Sequence, residues 1–327
     1  MPRRSRASLV PDEELERELT ILQEYIDDYP GGASQARATP ISQRRRRSTR
    51  KVNPNDPNDP ILAGPHEQWA IGGTTKLEDP LGLSVHGIID KWSQRILAIL
   101  VLPPSSGDYA PELLYTRLVK QLGGIPLQVT TPDKASSGMG YVPLMQEVLR
   151  EEHFSELTCA MRPPHALQKP HARTIWRSVS RSLEDLLAHR ERGLADGTID
   201  LDNEIHTALE TWVWAKAAQS DLDEFIQLHA LARIGKKKSS PLPSGGLPKD
   251  FYDLPELFGG ENQLIPVDAA SVPEITAPQL FRFGSEDMDG LAAALYAAVS
   301  APEIRPLTAS DILKDMIALM DARMEEL

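Results

Sequence analysis

Glu67-Gln-Trp-Ala-Ile-Gly-Gly-Thr-Thr-Lys76, then Leu83-Ser-Val-His-Gly-Ile-Ile-Asp-Lys-Trp-Ser-Gln-Arg95, then Ile96-Leu-Ala-Ile-Leu-Val-Leu102: these three segments carry the pattern of a β-sheet. Leu83, Val85, Gly87 and Ile89 alternate with their neighbours, the period of a strand with one face in a core. Ile96 to Leu102 is an unbroken apolar run, which suits a central strand covered on both faces. A polar link of a few residues joins the second segment to the third, so a three-stranded meander is expected. Downstream, residues 110–122 carry Leu113, Leu114, Leu118 and Leu122 at helical spacing, and Gly123-Gly124 closes that helix. The short strand expected over 126–129 then follows a helix, and a strand reached through a helix pairs parallel to the sheet by a right-handed crossover.

At these residues the chain resembles the integrase core, the RNase H-like catalytic domain of retroviral integrases and transposases, and is most similar to the integrase-core proteins of fungal and animal genomes. In that family the first strand carries Trp-x-Ile-Asp and, a few residues on, Lys; this chain has Trp69-Ala-Ile-Gly72 and Lys76. The family's second strand ends in Gly-x-Ile-Asp-x-Phe-Ser-Arg, where this chain reads Gly87-Ile-Ile-Asp90-Lys-Trp92-Ser93-Gln94-Arg95. The resemblance implies an α/β fold, an RNase H-like mixed sheet flanked by helices. It also implies a helical extension and irregular N- and C-terminal flanks.

The resemblance places the three metal-binding carboxylates of active relatives at Gly72, Asp133 and Arg173. Asp133 sits in Thr130-Thr131-Pro132-Asp133, where relatives have Ser-Asp-x-Gly-x-Glu-Asn. The third place lies in Lys169-Pro-His-Ala-Arg173-Thr174-Ile175-Trp176, against Asn-x-x-x-Glu-Arg-x-Trp, with Trp176 fixing the register. Of the three, only Asp133 keeps its carboxylate. Family chemistry is Mg²⁺-dependent DNA strand transfer, and hard divalent cations need several oxygen ligands. Gly72 offers no side chain and Arg173 offers a fixed positive charge, so the expectation is no metal site, no cofactor and no enzyme activity. Glu78 and Asp79 lie past the strand, in a turn before Pro80, several residues from the point a replacement ligand would need. Asp90, in the link before the third strand, has in relatives the structural task of holding the hairpin turn.

Composition bounds the rest. The chain has 327 residues with 41% hydrophobic and 25% charged, ordinary for a globular protein with one or two domains. Three parts are expected: an N-terminal helix with a basic arm over 1–65, the integrase-core-like domain with its helical extension over 66–235, and a proline-rich tail with short helices over 236–327. There is no run of the roughly 18 apolar residues a membrane span needs, and the first residues read Pro2-Arg3-Arg4-Ser5-Arg6 rather than an apolar leader. No membrane partner and an intracellular location are expected. Cys159 is the only cysteine; this excludes an internal disulfide and a cysteine-based zinc cluster, and a small buried hydrophobe is its expected role.

The net charge of −12 is unevenly spread, because residues 1–60 hold 11 Lys/Arg against 10 Asp/Glu and the acidity belongs to the rest. An acidic body repels phosphate backbones at long range. The cations of the N-terminal part cluster at Arg44, Arg45, Arg46, Arg47, Arg50 and Lys51, within a segment (33–65) that lacks periodicity. Such a cluster reads as a nuclear-import signal, as a phosphate-contacting arm with weak nucleic-acid affinity, or as a solvated charge run. Residues 12–29 carry Leu15, Leu19, Leu22, Ile26 and Tyr29 at helical spacing, a stripe that fits its own domain or a protein partner.

Further along, helices are expected over 142–150 and from about 172, where Ala172, Ile175, Trp176, Val179, Leu183, Leu186 and Leu187 hold one face. Two more are expected over 201–218 and 222–234, with His229 as a satisfied core histidine. Short helices over 287–299 and 310–324 end the chain; the stripe Leu313, Met316, Ile317, Met320, Met324 of the last reads as a docking face.

Overall fold

Trp69 and Ile71 point to one side of the first strand while Ala70, Gly72 and Thr74 point to the other, and this alternation fixes which helices each side receives. The computed structural model describes residues 62–103, 110–130, 142, 170–237, 242–272 and 286–325. Asp133, the basic cluster 44–51, the segment 12–29 and Cys159 lie outside the described residues. Those that are described belong to one compact unit. They form a mixed α/β arrangement around a four-stranded sheet.

Strand β1 (Gln68–Thr74) is followed by a single-turn helix α1 (Glu78–Leu81), β2 (Ser84–Asp90) and β3 (Ile96–Leu102). Helix α2 (Ala110–Leu122) leads through β4 (Gly124–Ile125) to β5 (Gln128–Thr130). The sheet order is β3-β2-β1-β5; β1 and β3 pair antiparallel with β2, and β5 pairs parallel with β1 in the register Ala70↔Thr130. The meander and the parallel fourth strand stand as the sequence predicts. The position of β3 does not: expected as central, it is the edge of the described sheet. Its apolar run is nevertheless covered, because helix α4 (Glu204–Leu231) lies along it. Gln219 of α4 accepts a hydrogen bond from Val101 N at 2.9 Å and donates to Ile99 O at 3.1 Å. A side-chain amide thus satisfies two backbone groups of the open ladder that an edge strand otherwise leaves for another chain.

The two faces of the sheet have separate cores. On one, Trp69, Ile71 and Ile88 pack with Leu114, Tyr115 and Leu118 of α2. On the other, Val85, Ile99 and Val101 meet helix α3 (Pro170–Leu194), α4, and the C-terminal helices α6 (Glu286–Ala298) and α7 (Ala309–Glu325). Helix α4 is one continuous helix where two were expected. Asn203 caps its start, accepting from Ile205 N and His206 N, and no Gly or Pro lies between residues 204 and 231 to break it. At the polar Gln219-Ser220-Asp221, where the break was placed, side chains anchor the helix laterally instead: Asp221 accepts from Ser182 Oγ of α3 at 2.7 Å.

The C-terminal part returns to the domain. A short helix α5 (Pro248–Asp253) puts Phe251 into a cluster with Leu62, Trp92 and Leu242. Glu261 N donates to Ala63 O and Gln263 N to Pro65 O, both at 2.9 Å, and strand β6 (Ile265–Pro266) pairs with β4. Gly64 and Gly260 allow the close approach of this return, since a Cβ on the first would collide with Glu261 O and one on the second with the Trp92 ring. In α7, Leu313, Met316, Ile317 and Met320 are buried in the larger core, so the docking face of that helix is turned inward on its own domain.

Candidate functional site

Three pairs align β1 with α3. The side of β1 that carries Gly72, Thr74 and, just beyond, Lys76 faces Trp176, Ser180 and Glu184 in turn. The match follows from geometry: two residues of strand advance about 6.6 Å and four of helix about 6 Å. A Cβ placed on Gly72 would lie 2.6 Å from Trp176 Nε1 and 3.1 Å from its Cε2. Thr74 Oγ1 and Ser180 Oγ are 2.9 Å apart, and Lys76 Nζ reaches Glu184 Oε1 at 2.7 Å. Gly72 is registered with Gly87 on β2, and a Cβ on Gly87 would lie 3.0 Å from Trp176 Cη2 and 2.6 Å from Ala98 O. The half-buried indole thus rests across two glycines on neighbouring strands, and close backbone approach is what both positions require.

Arg173 lies one turn before Trp176 on α3 and is exposed. No hydrogen bond or ion pair joins it to another described residue. Thr130, the last described residue of β5, is registered with Ala70, two residues before Gly72, and Asp133 follows it three residues later in the chain. Gly72 and Arg173 therefore belong to one neighbourhood, on β1 and the start of α3, while Asp133 is not described. Among the described residues no group of three His, Cys, Asp or Glu side chains is placed to hold a metal ion. Glu78 and Asp79 form the first turn of α1.

A second polar cluster surrounds Asp90. Its carboxylate is fully buried and accepts from His66 N at 2.7 Å, Ser93 N at 2.8 Å and Ser93 Oγ at 2.6 Å. These bonds tie the β2–β3 link to the start of the domain. Burial pushes the Asp90 carboxyl up to about 6, and the Ser93 and His66 hydrogen bonds and the Arg95 charge only partly oppose it. His66, with a left-handed backbone (φ 64°), accepts from Trp69 Nε1 at 3.2 Å. Its imidazole is pushed down to about 4, first by burial and then by Arg95. Arg95 lies over the Tyr252 ring at 4.6 Å and pairs with Asp253 at 2.9 Å, while Tyr252 stands 4.8 Å from the His66 ring. Burial, followed by the Asp90 charge, raises the Tyr252 hydroxyl above its ordinary value. This cluster joins the hairpin to the C-terminal return.

His229 is half-buried, with Nε2 2.9 Å from Gln94 O and its ring stacked on Phe225; burial lowers its pKa. Elsewhere, a groove of about 840 Å³ runs between α4 and α6, with Trp212, Lys216, Tyr296 and Arg305 among its lining. Neither β1 nor α3 contributes to it. Sequence reading missed two features of the site: the glycine pair beneath Trp176, and the arginines that follow Arg173 along α3. The second had a visible signal, since residues 170–183 contain Arg173, Arg177 and Arg181 and no Asp or Glu. A scan against family models and a search of curated proteins find no match to this chain.

Proposed function

We propose that this chain is an integrase-core-like, transposon-derived protein that keeps the fold but not the catalytic chemistry. The observation that carries the reading is the place of Gly72. Its missing side chain would point at α3, one turn from Arg173, so the two positions assigned by resemblance lie on facing elements. The chemistry at issue is in-line phosphoryl transfer between two Mg²⁺ ions roughly 3.5–4 Å apart, which converging carboxylates hold. Here one position contributes no ligand and another a guanidinium that stays charged at any working pH. In addition, the Trp176 indole fills the space in front of Gly72 that a carboxylate would use.

The test is to rebuild the site. Gly72→Asp alone forces the indole aside, an overpacking change expected to cost about 1–3 kcal/mol, read from the urea midpoint. Gly72→Asp combined with Arg173→Glu is expected to create a Mg²⁺ or Mn²⁺ site by titration calorimetry that neither single change creates. The unaltered chain is expected to show no specific divalent-cation site and no metal-dependent nicking or strand transfer. Should the double variant bind no better than the singles, or the unaltered chain cleave DNA with Mg²⁺, the assignment of these positions is mistaken.

A further inference from the structure

Helix α3 buries Ile175, Val179, Leu183 and Leu186. Arg173, Arg177 and Arg181 each precede a buried residue by two, which at 100° per residue puts them on the opposite, exposed side. They recur every four residues, about 6 Å apart along the axis, and so form a stripe about 12 Å long. Arg173 and Arg177 have no hydrogen bond or ion pair to any described residue. Arg181 lies in the field of Glu184, whose carboxylate Lys76 already holds.

Arg173 also sits near the end of the helix that ordinarily prefers acids. The first turn of α3 has none, and a cation as near the positive end of a helix as Arg173 is unfavourable by about 0.3–1 kcal/mol, an effect that fades before Arg177 and Arg181. A bound anion would relieve both that repulsion and the mutual repulsion of the arginines. Guanidinium groups match phosphate by paired N–H donors. With one charge per roughly 3.4 Å of strand, a stripe of this length spans about three to four phosphates.

From these observations we infer that the exposed Arg173–Arg177–Arg181 stripe of α3 is a metal-independent binding surface for a phosphate chain, that of a nucleic acid strand or of a polyphosphate. The acidic remainder of the chain limits affinity at long range, but among the described residues no carboxylate forms an ion pair with Arg173 or Arg177. The inference stands on exposure and charge, and holds whether or not the chain descends from an integrase.

The test uses the full chain in EDTA, which keeps it separate from the metal titration above. In a background with Arg44, Arg45, Arg46 and Arg47 changed to Gln, so that the arm is silent, labelled oligothymidylate and inorganic polyphosphate are titrated by anisotropy. Three neutralised phosphates predict that oligothymidylate affinity falls roughly 20-fold between about 50 and 200 mM salt. Adding Arg173→Gln, Arg177→Gln and Arg181→Gln is expected to lower affinity at least about tenfold and to remove most of that salt dependence. The corresponding Lys changes keep the charge and are expected to retain most of the binding. Binding to both probes supports a general phosphate-chain surface, and binding to oligothymidylate alone supports a nucleic acid. No binding at the low salt, binding indifferent to the Gln changes, equal loss with Lys, or equally strong competition by polyglutamate would each overturn the inference.

Discussion

Cutting Glu210 back to alanine is expected to destabilise the protein by about 3–5 kcal/mol, the largest single-residue effect foreseen among its charged groups. Glu210 of α4 accepts from Arg190 Nε of α3 at 2.8 Å, and both side chains are nearly inaccessible, 3% and 12% exposed. Removing the carboxylate leaves a largely buried guanidinium that cannot shed its charge. Most of the cost comes from this stranded cation, not from the lost attraction, so the pair Arg190→Met with Glu210→Leu should recover most of the stability. Urea denaturation of the two variants checks this. A loss under about 1 kcal/mol for Glu210→Ala would mean that Arg190 finds solvent. Because α3 also carries Arg173 and Trp176, the pair fixes the helix on which both proposals rest.

The second large effect is a dependence on pH that the intact protein hides. Asp90 has a folded pKa raised to about 6, so the folded state holds more protons than the unfolded one between about 4 and 6, and stability falls as pH rises through that window. His66 has a folded pKa lowered to about 4; its contribution is present above about 6.5 and is lost as pH falls toward 4. Each amounts to about 3 kcal/mol across its window, with opposite slopes. From this cluster, therefore, the unaltered protein is expected to show a nearly flat stability between pH 4 and 6.5. Asp90→Asn should expose a rise of about 3 kcal/mol with pH, and His66→Asn, which tolerates the left-handed backbone, a comparable fall. Urea midpoints at half-unit pH steps decide it. Two variants with the same slope as the parent would show that burial does not shift these groups as described.

Much of the frame was legible in the chain itself. The alternation from Leu83 to Ile89 and the apolar run from Ile96 to Leu102 give the meander, because a strand's period of two reports directly which side chains leave water. The spacing of Ile175, Val179, Leu183 and Leu186 likewise gives the buried side of α3. Asp90 within Gly87-Ile-Ile-Asp90 marked the hairpin, and the absence of a side chain at Gly72 could be read without any coordinates.

Periodicity reports that a face is covered but not by what, and there tertiary structure decided. Ile96 to Leu102 reads as a central strand, yet it is an edge, and only the packing of α4 with Gln219 against Ile99 and Val101 explains why that edge can be so apolar. Gln219-Ser220-Asp221 looks like a break in the pattern, but its side chains find partners on β3 and α3, and tertiary hydrogen bonds override local preference. The return of Glu261 and Gln263 to Ala63 and Pro65 joins residues nearly 200 positions apart, a distance no local pattern encodes. The same holds for the site. Gly72 and Trp176 are 104 residues apart in the chain, and only the matched advance of strand and helix shows that the indole occupies the space the glycine leaves.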